Sequence, residues 1–452
     1  MKRKVIIGII VVMLIVIALI VSFYLNREET EMLPPVEVPG YKVKLSPEGN
    51  LDEVKTATIR KSLGTSEMLY GKFPPIVFQL INLEELDFSR TEISDLTPIQ
   101  HLKQLKQIIS RENELSGLRG IENFPNLVSL DISFNNLNLS ELRGIENSPN
   151  LVSLDISDNN LSELRGIENF PNLVSLDISE NNLSDLRGIE NLKNLESLDL
   201  DGNSGLTNLS GIEILQKLQS LDLSGLSKLS DLRGIEYLKN LKELSIGHNS
   251  KFESFPPEIL HLGNLNKLSL RFLEFRSFPD SFYTSGMPIE ILQMSFMCNF
   301  DYRSNLPRFH KLEKLRELYL EDHLVNDIPV SNINFAKCEN LEEFSYTYSK
   351  KIDIAGAMKK ISQAPKLKRL ILRDNRNMRD NMVGISYLPK EIALCDSLES
   401  LILSNNNIKK LPQAITKLKN LKLIDLRRNP IDTIAIKEIE KEMVNTTFYY
   451  DK

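Results

Sequence analysis

Carboxylates recur at one position of a repeated segment, and they are the first residues whose type and spacing could do chemistry. They stand at Asp131, Asp155, Asp177, Asp199 and Asp222. If the segments form neighbouring strands, these side chains stack and repel one another. Such a run could hold a cation or meet a basic partner, but the same spacing also follows from repetition alone. The sequence leaves both interpretations open.

The residue patterns of known catalytic and metal sites are absent from the sequence. It has no Gly-rich phosphate-binding loop, no H-E-x-x-H, no C-x-x-C and no G-x-S-x-G. The histidines show no metal-ligand spacing; they are His101, His248, His261, His310 and His323. The sequence therefore predicts a protein that is not an enzyme and has no cofactor or metal.

The charge of the chain is mildly acidic and unevenly spread. The formal net charge is −6, so no global basic field indicates a nucleic-acid partner. Residues 81–240 carry 26 acidic and 13 basic side chains, whereas residues 350–430 carry 18 basic and 7 acidic ones. This asymmetry could steer a charged partner, or it could reflect only solvated faces.

A 22-residue unit explains the spacing of the aspartates. Residues 151–172 read LVSLDISDNNLSELRGIENFPN, and residues 173–194 read LVSLDISENNLSDLRGIENLKN. One unit of the pattern L-x-x-L-x-L-x-x-N-x-L cannot bury its own apolar face, but stacked units can. We expect positions 1, 4 and 6 to enter the core of a parallel sheet. The units begin at Leu83, Leu105, Leu127, Leu151, Leu173, Leu195, Leu218, Leu241, Leu265, Ile289, Leu315, Leu341, Leu367, Leu398 and Leu421.

This pattern resembles the leucine-rich repeat family over most of the chain. Units with LRGIEN in their second half are most similar to phosphatase-regulatory and bacterial internalin-type repeats, and LPQAITKLKNLKLIDLRRNPI resembles a related class. The resemblance implies an α/β solenoid with a curved parallel sheet on its concave face and short helices and turns on its convex face. It also implies recognition of proteins. The small number of cysteines favours a bacterial source.

An asparagine ladder is expected at position 9 of the units. There the amide can bond backbone groups that the turn leaves unpaired. Leu273, Met297, His323 and Ser349 interrupt the series. The predicted ladder consists of Asn113, Asn135, Asn159, Asn181, Asn203, Asn249, Asn375, Asn406 and Asn429.

Aromatic and arginine side chains occupy the sheet positions of the units in which the ladder is interrupted. Positions 3, 5, 7 and 8 should face the hollow, and such residues are enriched at the centres of interfaces. The alternative is a degenerate repeat whose aromatics fold inward. The predicted partner-binding strip consists of His248, Arg271, Phe272, Phe296, Tyr319, Asp322, Tyr348, Arg369 and Arg373.

The N-terminus has the pattern of a membrane anchor. A basic segment, residues 1–4, precedes 21 uncharged residues at 5–25, which is long enough to span a bilayer. Positive charge before the span predicts a cytoplasmic N-terminus and places the rest of the chain outside the cytoplasm. A cleaved signal peptide is the alternative. A Pro/Glu-rich tether at 26–50, repeats at 51–430 and a C-terminal cap at 431–452 complete the predicted organisation.

These observations together predict a single-pass cell-membrane protein whose repeat domain binds another macromolecule through its concave face. The partner is unidentified; a protein is expected and a nucleic acid is not. One alternative is a structural spacer or scaffold without a specific ligand. Another is a cytoplasmic regulatory subunit, which would need the opposite topology.

Overall fold

The fold was analysed in a computed structural model of the 452-residue chain. It describes residues 36–38, 41–47, 50–61, 71–115, 117–118, 120–135, 137, 148–322, 328–349, 351–374 and 384–451. Residues 1–4 and the predicted span at 5–25 lie outside these ranges. Within them, no helix is both long enough and apolar enough to cross a membrane.

The N-terminal end of the solenoid is closed by antiparallel strands. Strand β1 (Val36–Val38) pairs with β2 (Tyr41–Ser46), and β2 pairs with β3 (Thr56–Lys61). Residues 41–46 alternate between buried and exposed side chains, as expected for a strand with one face on the core. The predicted tether at 26–50 therefore extends too far, because residues 36–38 and 41–46 belong to strands of the sheet. The signal was the period-2 pattern YKVKL, in which alternate residues are apolar.

A single sheet runs from this cap to the other end of the described chain. Each strand from β3 onward pairs in parallel with the next strand along the chain. The remaining strands are β4 (Glu85–Asp87), β5 (Gln107–Ile109), β6 (Ser129–Asp131), β7 (Ser153–Asp155), β8 (Ser175–Asp177), β9 (Ser197–Asp199), β10 (Ser220–Asp222), β11 (Glu243–Gly247), β12 (Lys267–Arg271), β13 (Ile291–Ser295), β14 (Glu317–Glu321), β15 (Glu343–Tyr348), β16 (Arg369–Asp374), β17 (Ser400–Ile402), β18 (Leu423–Asp425) and β19 (Thr447–Tyr449).

The core lies between the sheet and the return segments, as the repeat pattern predicts. In the unit that begins at Leu173, the side chains of Leu173, Leu176 and Ile178 are at most 1% exposed. Burial of one such side chain contributes about 1.5–3 kcal/mol relative to leaving it exposed. The buried apolar residues form one cluster from Tyr41 to Met443. Each unit therefore completes the core of its neighbours.

The return segments are mostly short 3-10 helices on the side opposite the strands. Gly188 begins one of them with φ at 102°, and a Cβ there would lie 2.9 Å from Ile167 Cγ2. Its N–H donates to Glu190 Oε2 at 2.9 Å, so the Glu of LRGIEN bonds the backbone of the Gly in the same motif. The 3-10 helices are Leu51–Glu53, Pro75–Gln79, Thr97–Ile99, Ile121–Asn123, Ile167–Asn169, Ile189–Asn191, Ile212–Ile214, Ile235–Tyr237, Pro257–His261, Asp280–Tyr283, Leu306–Lys311, Val330–Asn332, Phe335–Lys337, Lys390–Leu394 and Gln413–Lys417.

The described residues also form three α-helices, α1 (Tyr302–Asn305), α2 (Ile354–Ile361) and α3 (Thr433–Glu442). Helix α3 is the expected closing helix of the cap at 431–452. It begins after Asp432, whose Oδ1 accepts from the backbone of Ile434 and Ala435, a standard N-cap. Strand β19 follows it and extends the sheet by one strand, which the sequence did not predict.

Candidate partner-binding face

The outer sheet face is the side of the sheet that points away from the core. It carries the side chains at positions 3, 5 and 7 of each unit, counted from the first leucine, and those at position 8 wherever the turn directs them outward. It is the described counterpart of the predicted concave face.

The ladder asparagines connect consecutive units behind the strand exits. Asn159 Nδ2 donates to Ile132 O of the preceding unit at 3.1 Å and to Ile156 O of its own unit at 3.1 Å. Its Oδ1 accepts from Leu137 N at 3.2 Å. Because the side chain is only 6% exposed, water cannot replace these bonds. Asn113, Asn135, Asn181 and Asn203 make the same connection to the preceding unit.

The ladder changes at its borders. Asn249 Nδ2 donates to Leu223 O at 2.9 Å, but no donor among the described residues reaches its buried Oδ1. Asn406 and Asn429 donate to the preceding unit at Leu372 O and Leu403 O, each at 2.8 Å. Asn375 lies outside the described residues.

Longer strands accompany the interruption of the ladder. Strands β4 to β10 each have 3 residues, whereas β11 to β14 have 5 and β15 and β16 have 6. Leu273, Met297 and Ser349, which replace asparagine, are all buried. Backbone hydrogen bonds between neighbouring units nevertheless reach position 8 in both regions, as in Asp158 N to Ser179 O and Phe272 N to Ser295 O, each at 3.0 Å, so the longer strands do not replace the bonds of the asparagine.

The residues of the predicted partner-binding strip divide into three groups. His248, Arg271 and Arg369 are exposed. Phe272, Tyr319 and Arg373 are partly buried. Phe296, Asp322 and Tyr348 are buried, with exposed fractions of 3%, 2% and 0%. The structure therefore does not place the whole strip on the surface.

Tyr348 and Asp322 belong to the core side of the sheet, which corrects the prediction that they are exposed. Strand β15 continues through position 8, so the alternation of the strand turns Tyr348 inward together with Tyr346. Tyr348 Oη donates to Asn406 Oδ1. Asp322 accepts from Ser349 N at 2.7 Å and from Tyr346 Oη at 3.2 Å. These two side chains therefore connect units in which the asparagine ladder is interrupted.

Position 8 faces outward where its backbone is left-handed. His248, Phe272 and Phe296 have φ values of 53°, 49° and 55°. This conformation is unusual for bulky residues and costs roughly 1–2 kcal/mol per residue. The sequence could not show which units adopt it, because the left-handed turn and the extended strand place the same position on opposite sides.

The three side chains at these positions form a ring stack. The centroids of His248 and Phe272 lie 4.3 Å apart, and those of Phe272 and Phe296 lie 4.5 Å apart with the planes at 16°. The guanidinium of Arg271 lies 5.3 Å and 5.6 Å from the two phenyl centroids. This packing buries Phe296 and compensates part of the backbone strain. His248 forms the exposed end of the stack.

The recurrent aspartates form an aspartate lane beside the ring stack. Asp155, Asp177, Asp199 and Asp222 are direct neighbours in the strand register. Burial, with repulsion from neighbouring aspartates, raises the pKa of Asp155 to about 6 and that of Asp199 to about 7. The lane resists full ionisation because its carboxylates are close together and partly removed from water.

Arginines compensate aspartates near the ends of the sheet but not in the middle of the lane. Arg60 pairs with Asp87, Arg111 with Asp131, and Arg427 with Asp425. Among the described residues, no cation forms a salt bridge with Asp177, Asp199, Asp201 or Asp222. No group of three or more His, Cys, Asp or Glu in the described chain has the arrangement of a metal site. The middle of the lane therefore carries negative charge that no salt bridge among the described residues offsets, and the raised pKa of Asp199 limits that charge.

A second asparagine ladder was missed from the sequence. The residue before the first leucine of many units is asparagine, and its Nδ2 donates to a carbonyl of the preceding unit; Asn172, for example, donates to Pro149 O at 2.9 Å. The signal was the recurrent PNL and KNL. Two members, Asn264 and Asn340, lie where the first ladder is interrupted. The ladder includes Asn126, Asn150, Asn172, Asn194, Asn240, Asn264, Asn340 and Asn420.

Comparison with known families agrees with this architecture. The family described as Leucine Rich repeats (2 copies) matches residues 149–191, 171–214 and 396–438. The findings support the leucine-rich repeat family. The strand-by-strand parallel sheet and the periodic leucine core are what such a leucine-rich repeat solenoid requires.

Several solved structures are similar to this chain. The LRR protein LIC12759 of Leptospira interrogans is 26% identical, with a TM-score of 0.50, over 84% of this chain and 92% of that one. A TLR13-ssRNA13 complex is 20% identical with a TM-score of 0.53, over 83% of this chain and 62% of that one. The internalin InlF of Listeria monocytogenes is 20% identical with a TM-score of 0.48, over 78% and 88% of the two chains.

Proposed function

We propose that this leucine-rich repeat protein is tethered to a cell membrane and binds another protein through its outer sheet face. The observation that carries the proposal is the uncompensated middle of the aspartate lane beside the ring stack. Charge without a partner, next to an aromatic surface, is suited to recognition rather than to stability. Leucine-rich repeat proteins of the internalin type typically bind proteins, which supports the same function.

The charge of the face favours a protein over a nucleic acid as the ligand. One structural neighbour is a complex of TLR13 with ssRNA13. Nucleic-acid binding depends on basic side chains that neutralise phosphates. In this chain the aspartates of β7 to β10 would repel phosphates instead. A partner with basic side chains is the better match.

Photo-cross-linking tests whether the outer sheet face is the binding face. A benzoyl-phenylalanine at Ser269 lies on that face, and one at Tyr237 lies on the 3-10 side, where the native side chain is 56% exposed. In cells that make the full chain, we expect a discrete cross-linked protein from position 269 and none from 237. Cross-links of equal yield from both positions, or from neither, would contradict the proposal and favour a spacer without a specific ligand.

The membrane location is proposed from residues 1–25 and needs a separate test. We expect the full chain to remain in the membrane after alkaline carbonate extraction and its repeat domain to be cleaved by protease added outside intact cells. A soluble form starting after Leu25 would instead indicate a cleaved signal peptide. Protection of the repeat domain from external protease would favour a cytoplasmic regulatory subunit. The bacterial source suggested by the sequence remains part of this proposal.

A further inference from the structure

The strand-entry edge of the sheet, where position 2 of each unit lies, carries a ladder of charged and polar side chains. Lys106 Nζ lies 2.6 Å from Glu84 Oε2 of the preceding unit. Gln219 Nε2 donates to Glu196 Oε2 at 2.7 Å, and similar pairs continue along the later units. Exposed pairs of this kind contribute little to stability, but they keep the edge polar.

Three successive units interrupt this ladder with apolar residues. Their position 2 holds valine, and the residue two places before their first leucine is proline, whereas the units on either side have Lys103 and Lys193 there. Val128 is 40% exposed, and the three prolines are exposed as well. Two separate rows are therefore apolar in the same three units. Together they form the strand-entry patch, which consists of Pro125, Val128, Pro149, Val152, Pro171 and Val174.

Hydrogen bonds between the units fix the spacing of the strand-entry patch. Val152 N donates to Val128 O, and Val174 N donates to Val152 O, each at 2.8 Å. Between the two rows, Asn172 Nδ2 donates to Pro149 O at 2.9 Å. The patch is therefore a preorganised surface on which the same two side chains repeat three times, so that ordering it on binding costs little entropy.

The pattern of the patch and its rim is self-complementary. A two-fold axis through the middle unit exchanges the two rows and the two ends, so the valines of one copy lie on the prolines of the other. The same axis sets Lys103 of one copy opposite Glu196 of the other, and Lys193 opposite the ion pair of Glu84 with Lys106. Within the part of the chain that the structure describes, Lys103, Lys193 and Glu196 form no salt bridge of their own.

We propose that the strand-entry patch is the interface of a two-fold symmetric dimer of this chain. The two apolar rows form the centre of the interface, and the pairs of Lys103 with Glu196 at its rim set the register. The patch is small for a specific interface, so the dimer is weak, with a dissociation constant in the micromolar range. Because the patch lies at the strand-entry edge, the dimer leaves the outer sheet face open to a protein partner.

Sedimentation equilibrium of the full chain in a density-matched detergent tests the proposal. We expect the native chain to show a monomer–dimer equilibrium. Val152→Lys should raise the dissociation constant about tenfold or more, because a charge would be buried between the apolar rows. Lysine already stands at position 2 in Lys106 and Lys242, so the variant should fold, and its melting temperature checks this. The matched control, Asn266→Lys, places lysine at position 2 outside the patch and should change the constant less than about twofold.

An exchange of charges tests the two-fold register. Lys103→Glu and Glu196→Lys should each weaken the dimer about fivefold or more, because each sets like charges opposite one another. The double variant should restore native association, because the opposite charges meet again with their places exchanged. Within one chain, Lys103 and Glu196 lie four strands apart, roughly 19 Å, so a contact inside the monomer cannot produce this restoration.

Three results would overturn the dimer. A native chain that is monomeric at every concentration would mean that the patch meets a different molecule or none. Association that Val152→Lys leaves unchanged would come from another surface, such as residues 5–25. A double variant as weak as the single variants would contradict the two-fold register. Because the patch is separate from the outer sheet face, none of these results changes the outcome expected from cross-linking at Ser269.

Discussion

The regular units at residues 127–240 and the irregular units at residues 241–374 differ in the side chains behind the strand exits. In the regular units, buried asparagines such as Asn159 connect neighbours, and the strands have only 3 residues. In the irregular units, the strands have 5 or 6 residues, and apolar or small residues replace the asparagine. The backbone hydrogen bonds between units reach position 8 in both regions, so the difference lies in the side chains.

This difference coincides with a change of unit length. The first residues of successive units are 22–24 residues apart from Leu127 to Leu241 and 24–26 residues apart from Leu241 to Leu367. The irregular return segments are filled by an aromatic cluster in which Phe278 stacks on Phe282 at 4.1 Å and contacts Phe255 and Phe300. At the border of the two regions, position 8 changes from glycine at Gly202 and Gly225 to rings at His248, Phe272 and Phe296.

The largest effect on stability is expected from a substitution that disrupts the aromatic cluster. Phe278→Ala should lower the free energy of unfolding by about 3–5 kcal/mol, because it opens a cavity among rings that cannot collapse. Phe134→Ala is the matched control in the regular units, since that ring is 53% exposed; it should cost less than about 1 kcal/mol. Urea denaturation measures both. Equal costs would show that the cluster does not hold the irregular units.

The second-largest loss of stability is expected when one ladder asparagine is removed. Asn159→Ala leaves at least one N–H and one carbonyl buried without partners and should cost about 2–3 kcal/mol. Asn429→Ala should cost roughly half as much, because Asn429 is only partly buried and water can replace its bonds. Urea denaturation with the same protocol measures both variants. A larger loss at Asn429 would mean that burial does not set the importance of the ladder.

The aspartate lane makes stability depend on pH. Burial raises the pKa of Asp199 to about 7, so its contribution favours folding at low pH and is lost as the pH rises from about 4 through 7. Asp199→Asn should therefore be more stable than the native chain at pH 8, by roughly 1–2 kcal/mol after solvent screening. The advantage should shrink at pH 5, as measured by urea denaturation at both pH values. An advantage that grows on acidification would contradict the raised pKa.

The smallest expected effect is a difference in stability between substitutions of two outward-facing phenylalanines that have the same left-handed backbone. Phe134→Asn should stabilise the fold by about 0.5–1 kcal/mol, because asparagine tolerates φ near 54° better and the exposed ring is lost at little cost. Phe272→Asn should give no such gain, because it also removes the ring stack and the contact with Arg271. Melting temperatures compare the two. A gain at both positions would show that the stack contributes nothing to stability.

The sequence predicts the periodic features of the fold well because they follow from local pattern. Leu173, Leu176 and Ile178 lie in the core where their spacing placed them, and the strand register follows from aligning the first leucines of the units, whether the units are 22 or 31 residues long. The cap strand β2 was missed because its alternation is short and lies in a Pro/Glu-rich segment. Strand β19 was missed because TFY follows a helix pattern and matches no repeat.

The candidate site was harder to predict because it depends on one backbone angle. Position 8 of His248 and position 8 of Tyr348 look equivalent in the sequence, yet one side chain is exposed and the other is fully buried. Pairwise contacts such as Arg60 with Asp87 span 27 residues and follow no motif.

Hydrogen exchange on the full chain, with and without hexa-arginine, tests the claim that a basic partner binds the outer sheet face most directly. The amides of Gly202, Gly225 and His248 donate to Ser224 O, Gly247 O and Arg271 O, at position 8 of the units beside the aspartate lane. We expect the peptide to slow their exchange by about tenfold while Gly188, on the 3-10 side, is unchanged. Slowing at Gly188 with none at Gly225, or equal slowing at both, would contradict binding through this face.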